Sequence, residues 1–370
     1  MKTFSNPPRI LECLLNYLVH PRYFESLPGD FEEIYIRINH ERGKIPALGW
    51  YIFQIMKLLP AFIIDSLFWS IVMFNNHLKT AIRNISRNKV FSFINISGLA
   101  VGLTCFILIL LWVQHELSYD RFHENANEIF RIVEHQNHRD GDFFPVAVTP
   151  WPMAQALDDD FPEIVNNARL RIFSNILANY KDKRFFENDM CAVDPAFIEM
   201  FSFEFLNGDP KSALSEPQTM VLTESTARKY FGSEDPMGKT ITFNNTYDFA
   251  ITGIIKDIPD NSHLRVNCLV QFDAFLRDIG WTTTWNTNNY TTYVQSDKNA
   301  RLVDIESKVE EYLINMFEDT NTTLHMQKLT DIHLHSYFAI DLYGHSEDSS
   351  QYVYTFFIVA VFVILIACIN

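Results

Sequence analysis

Cysteine is scarce in this chain. Five residues out of 370 (Cys13, Cys105, Cys191, Cys268 and Cys368) are too few and too scattered for a disulfide framework. Basic residues are also in deficit, at 30 Lys and Arg against 45 Asp and Glu, a formal net charge of −15. Nucleic-acid binding rests largely on neutralising phosphates with Lys and Arg, so this balance excludes nucleic acid as a partner. The chain has no G-x-S-x-G nucleophile elbow and no paired-cysteine motif. It also has no internal repeat and no low-complexity tract. Catalysis within the chain is therefore not expected.

Charge is missing altogether from two stretches. Phe91 to Val113 holds no Asp, Glu, Lys or Arg, and neither does Tyr352 to Ile369. A helix rising about 1.5 Å per residue crosses the roughly 30 Å hydrocarbon core in about 20 mostly apolar residues, so both stretches read as transmembrane helices. Buried core helices seldom run this long without charge. A secretory signal does not fit the first stretch, which lies far from the N-terminus and has no small-residue cleavage pattern after it. The second stretch stops where the chain stops, so the chain is expected to be the N-terminal part of a longer polypeptide.

The two spans divide the charge. Residues 114–351 hold 38 acids and 19 bases, a net −19, and the remainder holds 7 acids and 11 bases, a net +4. Before the first span stand Lys79, Arg83, Arg87 and Lys89 with no acid. After it, Glu116, Asp120, Glu124 and Glu128 face Arg121 alone. Basic residues favour the cytoplasmic side, so these four cations orient the span and leave the acidic region outside the membrane. The acid excess there serves solubility. Cys191 and Cys268 then share an oxidising compartment. Their spacing leaves a disulfide and two free buried thiols equally open.

The expected fold class is a membrane protein. It combines transmembrane α-helices, a small helical N-terminal domain and an α+β extracytoplasmic domain. Residues 1–74 form the helical cytoplasmic part: Leu11, Leu14, Leu15 and Leu18 recur at helical spacing, Pro28-Gly29 breaks the chain, and Phe31, Ile34, Tyr35 and Ile38 repeat the pattern. Leu58 to Phe74 carries Asp65 at its centre, which nearly balances its apolar gain on insertion. We take it as an interfacial helix; were it to span, residues 1–57 would lie outside. Residues 75–90 form a basic amphipathic helix, with Leu78, Ala81, Ile82 and Ile85 on one face and Lys79, Arg83 and Arg87 on another, suited to an anionic leaflet. Residues 91–113 are the first span, 114–351 the extracytoplasmic domain and 352–370 the second span. Within the domain, Asn125 to Val133 and Leu222 to Phe231 read as helices. Thr240 to Phe243 and Tyr247 to Ile255 read as strands joined by a polar turn, and Arg301 to Phe317 as a late helix.

Two patterns suggest chemistry and fail on inspection. Gly232 to Thr240 resembles a phosphate loop, but five residues separate its glycines instead of four, a helix precedes it and a strand follows. It reads as a helix-to-strand turn. His325, His333, His335 and His345 cluster in sequence, and His333 and His335 alternate as if on one strand face, but no spacing among them matches a zinc motif, so no metal site is assigned.

Several strings, in order, resemble the MacB/FtsX-like ABC transporter permeases, in the Bacteroidetes-type form with an N-terminal permease prefix domain. They are LPGDFEEIY (Leu27 to Tyr35), LKTAIRNISRNKVFSFINISGLAVGL (Leu78 to Leu103), HELSYDRFHENANEIFRI (His115 to Ile132), VDPAFIEMFSFEFLNGDPKSAL (Val193 to Leu214), VLTESTARKYFG (Val221 to Gly232), IIKDIPDNSHL (Ile254 to Leu264), LTDIHLHS (Leu329 to Ser336) and ILIACIN (Ile364 to Asn370). The resemblance implies four membrane helices with a periplasmic core domain between the first two. The third and fourth helices, and the cytoplasmic loop that would meet an ATPase, are not in this chain. It further implies residence in the bacterial inner membrane, a homodimer or pseudodimer of permeases, and a separate ABC ATPase subunit that binds the ATP. A periplasmic or outer-membrane partner is also compatible with it. The implied function is export of a drug, peptide, lipid or lipoprotein. The competing role is a membrane-anchored signalling scaffold that regulates a periplasmic partner such as a hydrolase.

Overall fold

The computed structural model describes residues 7–18, 27–137, 143–272, 284–317, 320–343 and 350–369. They divide into two compact units, Met1–Gly98 and Leu99–Asn370.

In the first unit, α1 (Arg9–Leu18) and α2 (Leu27–Arg42) pack on the start of α3 (Lys44–Arg87). The apolar spacing read from the sequence becomes a small core of Leu15, Tyr35, Ala47, Tyr51 and Ile55. Tyr35 and Tyr51 meet edge to face at 5.7 Å. Pro28 and Gly29 do not break the chain but lie in the first turn of α2. A proline suits that position because the first backbone N–H groups of a helix have no partner within it. Residues 58–74 and most of 75–90, read as separate helices, belong to one uninterrupted helix of 44 residues that ends at Arg87, about 66 Å long. The break comes at Asn88, after which α4 (Lys89–Glu116) begins.

The second unit is built on one mixed sheet. Its strands are β1 (Ile129–Asn137), β2 (Phe143–Val146), β3 (Thr149–Pro150), β4 (Ile164–Phe173), β5 (Ile176–Tyr180), β6 (Lys183–Glu187), β7 (Met190–Val193), β8 (Phe205–Asn207), β9 (Thr219–Thr223), β10 (Thr240–Phe243), β11 (Tyr247–Ile255), β12 (Cys268–Gln271), β13 (Asn288–Ser296) and β14 (Thr322–Lys328). The sheet runs β14-β1-β13-β4-β7-β12-β9-β11-β10-β5-β6, with β2 beside β1, β3 beside β13 and β8 beside β11. Pairing is antiparallel except for β7 with β12 and β9 with β11. Helices α5 (Met153–Asp160), α6 (Ala196–Met200), α7 (Glu224–Phe231), α8 (Leu302–Glu310) and α9 (Tyr312–Met316) cover it. The last helix, α10 (Ser350–Ile369), follows β14. This is the α+β domain expected from the sequence.

The central strands are buried on both faces, so they read as continuous apolar runs and not as alternating ones. In β7, Met190 and Ala192 join one core while Cys191 and Val193 join the other, and β9 and β12 divide in the same way. That division decides the thiols. Cys191 lies on one face of the sheet and Cys268 on the other, both buried and both free.

Two readings of the sequence change here. Asn125 to Val133 is not a helix: residues 125–128 form a turn, and β1 then runs between β13 and β14 with its first six residues buried. A short apolar run fits a buried strand as well as a helix, and pairing on both edges selects the strand. His333 and His335 do not lie on a strand. They follow β14 in a 3-10 and turn segment that begins at Leu329. Elsewhere the elements fall close to expectation. The β10–β11 hairpin forms in register, α7 starts two residues later than read, and the late helix is split at Glu311 into α8 and α9.

Candidate functional site at the end of the first apolar helix

Among the described residues two helices are long and apolar enough to cross a membrane, α4 and α10. They lie against each other in antiparallel fashion. Val113 and Ile109 of α4 cluster with Val353 of α10 and with Leu334, and Trp112 meets Phe356 edge to face at 5.1 Å. Further along, Gly102 faces Ala367. A Cβ on Gly102 would come within 2.7 Å of the Ala367 Cβ, so the approach requires glycine.

At the end of α4 the chain is held by two independent sets of bonds. The last carbonyls of the helix are capped by the Ser118 hydroxyl, which donates to His115 O at 2.7 Å, and by Arg121 Nε, which donates to Leu117 O at 2.7 Å. A basic side chain at this end also complements the helix dipole. The backbone then turns through Asp120 in the left-handed region, at φ 56°.

The first set joins residues 118–120 to the loop 261–263. The Asp120 N–H donates to Asn261 O at 2.9 Å, and Asn261 Nδ2 donates back to Ser118 O and Oγ at 3.2 and 2.9 Å. The fully buried Asp120 carboxylate accepts from the His263 N–H at 3.0 Å and from the Ser262 hydroxyl at 3.1 Å, and His263 Nδ1 lies 2.9 Å from it. His263 Nε2 in turn meets the Tyr293 hydroxyl of β13 at 2.8 Å. The connection thus runs from the end of α4 to a central strand of the sheet. Burial by itself would raise the Asp120 carboxyl, but the neighbouring His263 and the hydrogen bonds it makes to the carboxylate outweigh burial and hold the carboxyl below its usual range. His123, one turn further, is buried against Phe122, Phe201 and Phe203. Burial lowers its imidazole to about 4, with Asp120 opposing the shift.

The second set joins α4 to the segment that leads towards α10. Glu116 Oε2 lies 2.6 Å from His333 Nε2, and the His333 ring stacks flat on Tyr119 at 3.4 Å. The Ser350 N–H, at the start of α10, donates to Leu334 O at 3.3 Å. Two residues on, Ser336 bonds Arg131, a fully buried cation on β1 that also pairs with Asp341 at 2.9 Å and with Gln327. Between the two sets lies a polar cleft of about 590 Å³, lined by Tyr119, Asp257, Ser262, Arg265, Asn267 and His333 among others.

Lys79, Arg83 and Arg87 stand on one exposed face of α3, and Lys89 opens α4. Leu78, Ile82 and Ile85 on the other face are exposed too. The glycine-lysine turn forms between α7 and β10 with Gly238 at φ 70°. Its Lys239 is occupied by Glu234 at 2.8 Å and lies over the Phe231 ring. The histidines disperse: His333 is held by Glu116, the His325 ring lies tilted against His135 at 4.0 Å, and His345 lies outside the described residues. Among the described residues, no group of three or more His, Cys, Asp or Glu is placed to hold a metal. The residues of the junction went unassigned from the sequence. Asp120, His123 and His263 sit inside strings that carry the family resemblance, but Asp120 and His263 are 143 positions apart, and no spacing rule connects them.

A mixed-sheet domain entered by one apolar helix and left by another, with the entry bonded to both sheet and exit, is the architecture of a membrane-associated extracytoplasmic module. The MacB-like periplasmic core domain matches residues 92–312, and the chain belongs to that family. No curated protein matches the chain. Three solved structures are similar to it. A domain assigned to a permease from Porphyromonas gingivalis shares 20% identity at a TM-score of 0.48, covering 56% of this chain and 91% of that one. The periplasmic region of MacB from Actinobacillus actinomycetemcomitans shares 15% at 0.42, covering 56% and 90%. The extracellular domain of the noncanonic ABC-type transporter YknZ from Gram-positive bacteria shares 15% at 0.40, covering 54% and 99%. The resemblance to MacB/FtsX-like permeases read from the sequence is thereby borne out.

Proposed function

We propose that this chain is the permease component of an ABC transporter and works without catalytic residues or a cofactor of its own. α4 and α10 cross the inner membrane, and a separate ABC ATPase binds and hydrolyses ATP on the cytoplasmic side. The permease acts as a homodimer or pseudodimer. Relative movement of the two helices is passed to the periplasmic domain and used to extrude a drug, peptide, lipid or lipoprotein. One observation carries this reading: the end of α4 is bonded both to the sheet, through Asp120 and His263, and to the segment before α10, through Glu116 and His333. A helix bonded along its length transmits displacement with little loss, and a junction of short, mostly buried bonds passes it on.

The test is made on the polypeptide purified from its own membrane. An ATPase should accompany it, and trapping that ATPase with nucleotide should change amide exchange across residues 115–137. Glu116→Gln combined with Asp120→Asn should abolish that change while ATP turnover continues. Glu116→Gln alone, at a partly exposed site, should diminish it and guards against a folding defect in the double variant. Absence of an ATPase, or exchange indifferent to nucleotide in the unaltered protein, would refute the proposal and favour the scaffold role.

A further inference from the structure

A second cavity of about 590 Å³ is lined by residues of β1, β2, β13 and α9. Its walls are mixed: Phe144, Val146, Trp285, Leu313 and Phe317 give it an apolar and aromatic part, and the amides of Gln136, Asn286 and Asn288 with the hydroxyls of Thr320 and Thr322 a polar one. Trp285 and Phe317 meet edge to face at 5.5 Å. The volume lies in the range of pockets that enclose drug-sized molecules.

Among the described residues lining this cavity, Glu134 alone is ionisable. Glu134 is on β1, flanked in register by Leu324 and Val146, and is only 3% exposed. Its Oε2 accepts from Gln136 Nε2 at 2.9 Å and from Asn288 Nδ2 at 2.5 Å. Its Oε1 accepts no hydrogen bond, and no cation acts on its charge, among the described residues. Burial accordingly raises its carboxyl above the usual value, against the pull of the two amides. Burying an uncompensated carboxylate is costly, and a charge of opposite sign brought to it recovers much of that cost.

We propose that this cavity binds a lipophilic organic cation, with its apolar body against Trp285, Phe144 and Phe317 and its protonated amine on Oε1 of Glu134. An anion is repelled by the carboxylate. A hydrated metal ion is disfavoured because a single carboxylate, with only neutral amides and hydroxyls beside it, supplies too little negative charge to replace its water shell. An ammonium on an aryl or alkyl frame satisfies both halves of the lining, since the aromatic faces also attract cations. The inference deepens the transporter reading by naming a ligand class, but binding itself needs no ATPase.

The experiment uses three matched probes on the full chain in detergent, with binding followed by titration calorimetry against a micelle blank. The probes are 4-phenylbutylamine, 4-phenylbutanol and 4-phenylbutyrate. The amine is expected to bind at least about tenfold more tightly than the alcohol, the scale of a charge-assisted hydrogen bond, and the carboxylate not measurably. Glu134→Gln keeps the side chain's size and one acceptor while removing its charge. It should bring the amine to the affinity of the alcohol and leave the alcohol unchanged. Equal binding of amine and alcohol to the unaltered chain, or amine affinity indifferent to Glu134→Gln, would overturn the proposal. Should the variant fail to fold, the ranking of the three probes on the unaltered chain still decides. Amine binding without any associated ATPase would sink the transporter reading alone, and an associated ATPase without amine selectivity would sink this one alone.

Discussion

Asp120 and His123 sit three residues apart and are buried alike, yet their environments act on them differently. The Asp120 carboxyl is held below its usual range, against burial, by His263 beside it and by hydrogen bonds from the His263 N–H and the Ser262 hydroxyl. His123 is kept neutral because its surroundings are aromatic rings. The consequence of His123 for stability has a definite sign. Its imidazole is held at about 4 in the folded chain against 6.5 ordinarily, so the unfolded state takes up the proton first as pH falls. Its contribution is therefore complete above pH 6.5 and is lost progressively down to about pH 4, on the order of 3 kcal/mol. His135, also lowered to about 4 by burial and by His325, acts in the same direction. Replacing His123 by Leu should flatten the fall in urea midpoint across this window by the His123 share alone. An unaltered pH dependence would show that the ring is already protonated or open to water in the native state.

At the scale of elements, the pairing of α4 with α10 depends on one narrow contact. Neither helix has a charged stripe to set its rotation, and in lipid no hydrophobic force distinguishes one apolar face from another, so close packing decides. At Gly102 the Ala367 side chain leaves no room for a Cβ, and Ile109, Val113 and Val353 pack further along the pair. Gly102→Leu should separate the helices and lower the thermal midpoint of the purified chain by several degrees, as overpacking at about 1–3 kcal/mol implies. Gly49→Leu, with nothing within 4 Å of its added Cβ, serves as the control and should change little. Equal effects of the two would mean that the helices do not pack in this register.

For the whole molecule, the proposed function makes orientation depend on the basic face of α3 and the start of α4. Residues 114–351 carry a net −19, and Lys79, Arg83, Arg87 and Lys89 precede the first apolar stretch without an acid among them, so in the proposed permease the positive-inside preference acts in a single direction. A cysteine placed at the exposed Lys211 should label with a membrane-impermeant thiol reagent in intact spheroplasts. Cys191 and Cys268 remain silent because they are buried. Replacing all four basic residues with glutamine should leave a fraction of the Lys211→Cys chains unlabelled until the membrane is permeabilised. Full labelling after the replacement would place the orienting determinant elsewhere.

Local composition was enough to specify the two apolar helices, the α7 helix, the β10–β11 hairpin and the α+β character of the domain. Each depends on a periodicity or an absence of charge that a short stretch carries within itself. The tertiary structure decided what short stretches leave degenerate. β1 became a strand because β13 and β14 flank it on both sides. The two thiols stayed apart because β7 and β12 direct them to opposite faces of one sheet. Asp120 met His263, and Glu134 met a cavity, only once residues more than a hundred positions apart had been brought together. A contact of that kind is set by the packing of whole elements, and for that reason no local pattern in the chain announces it.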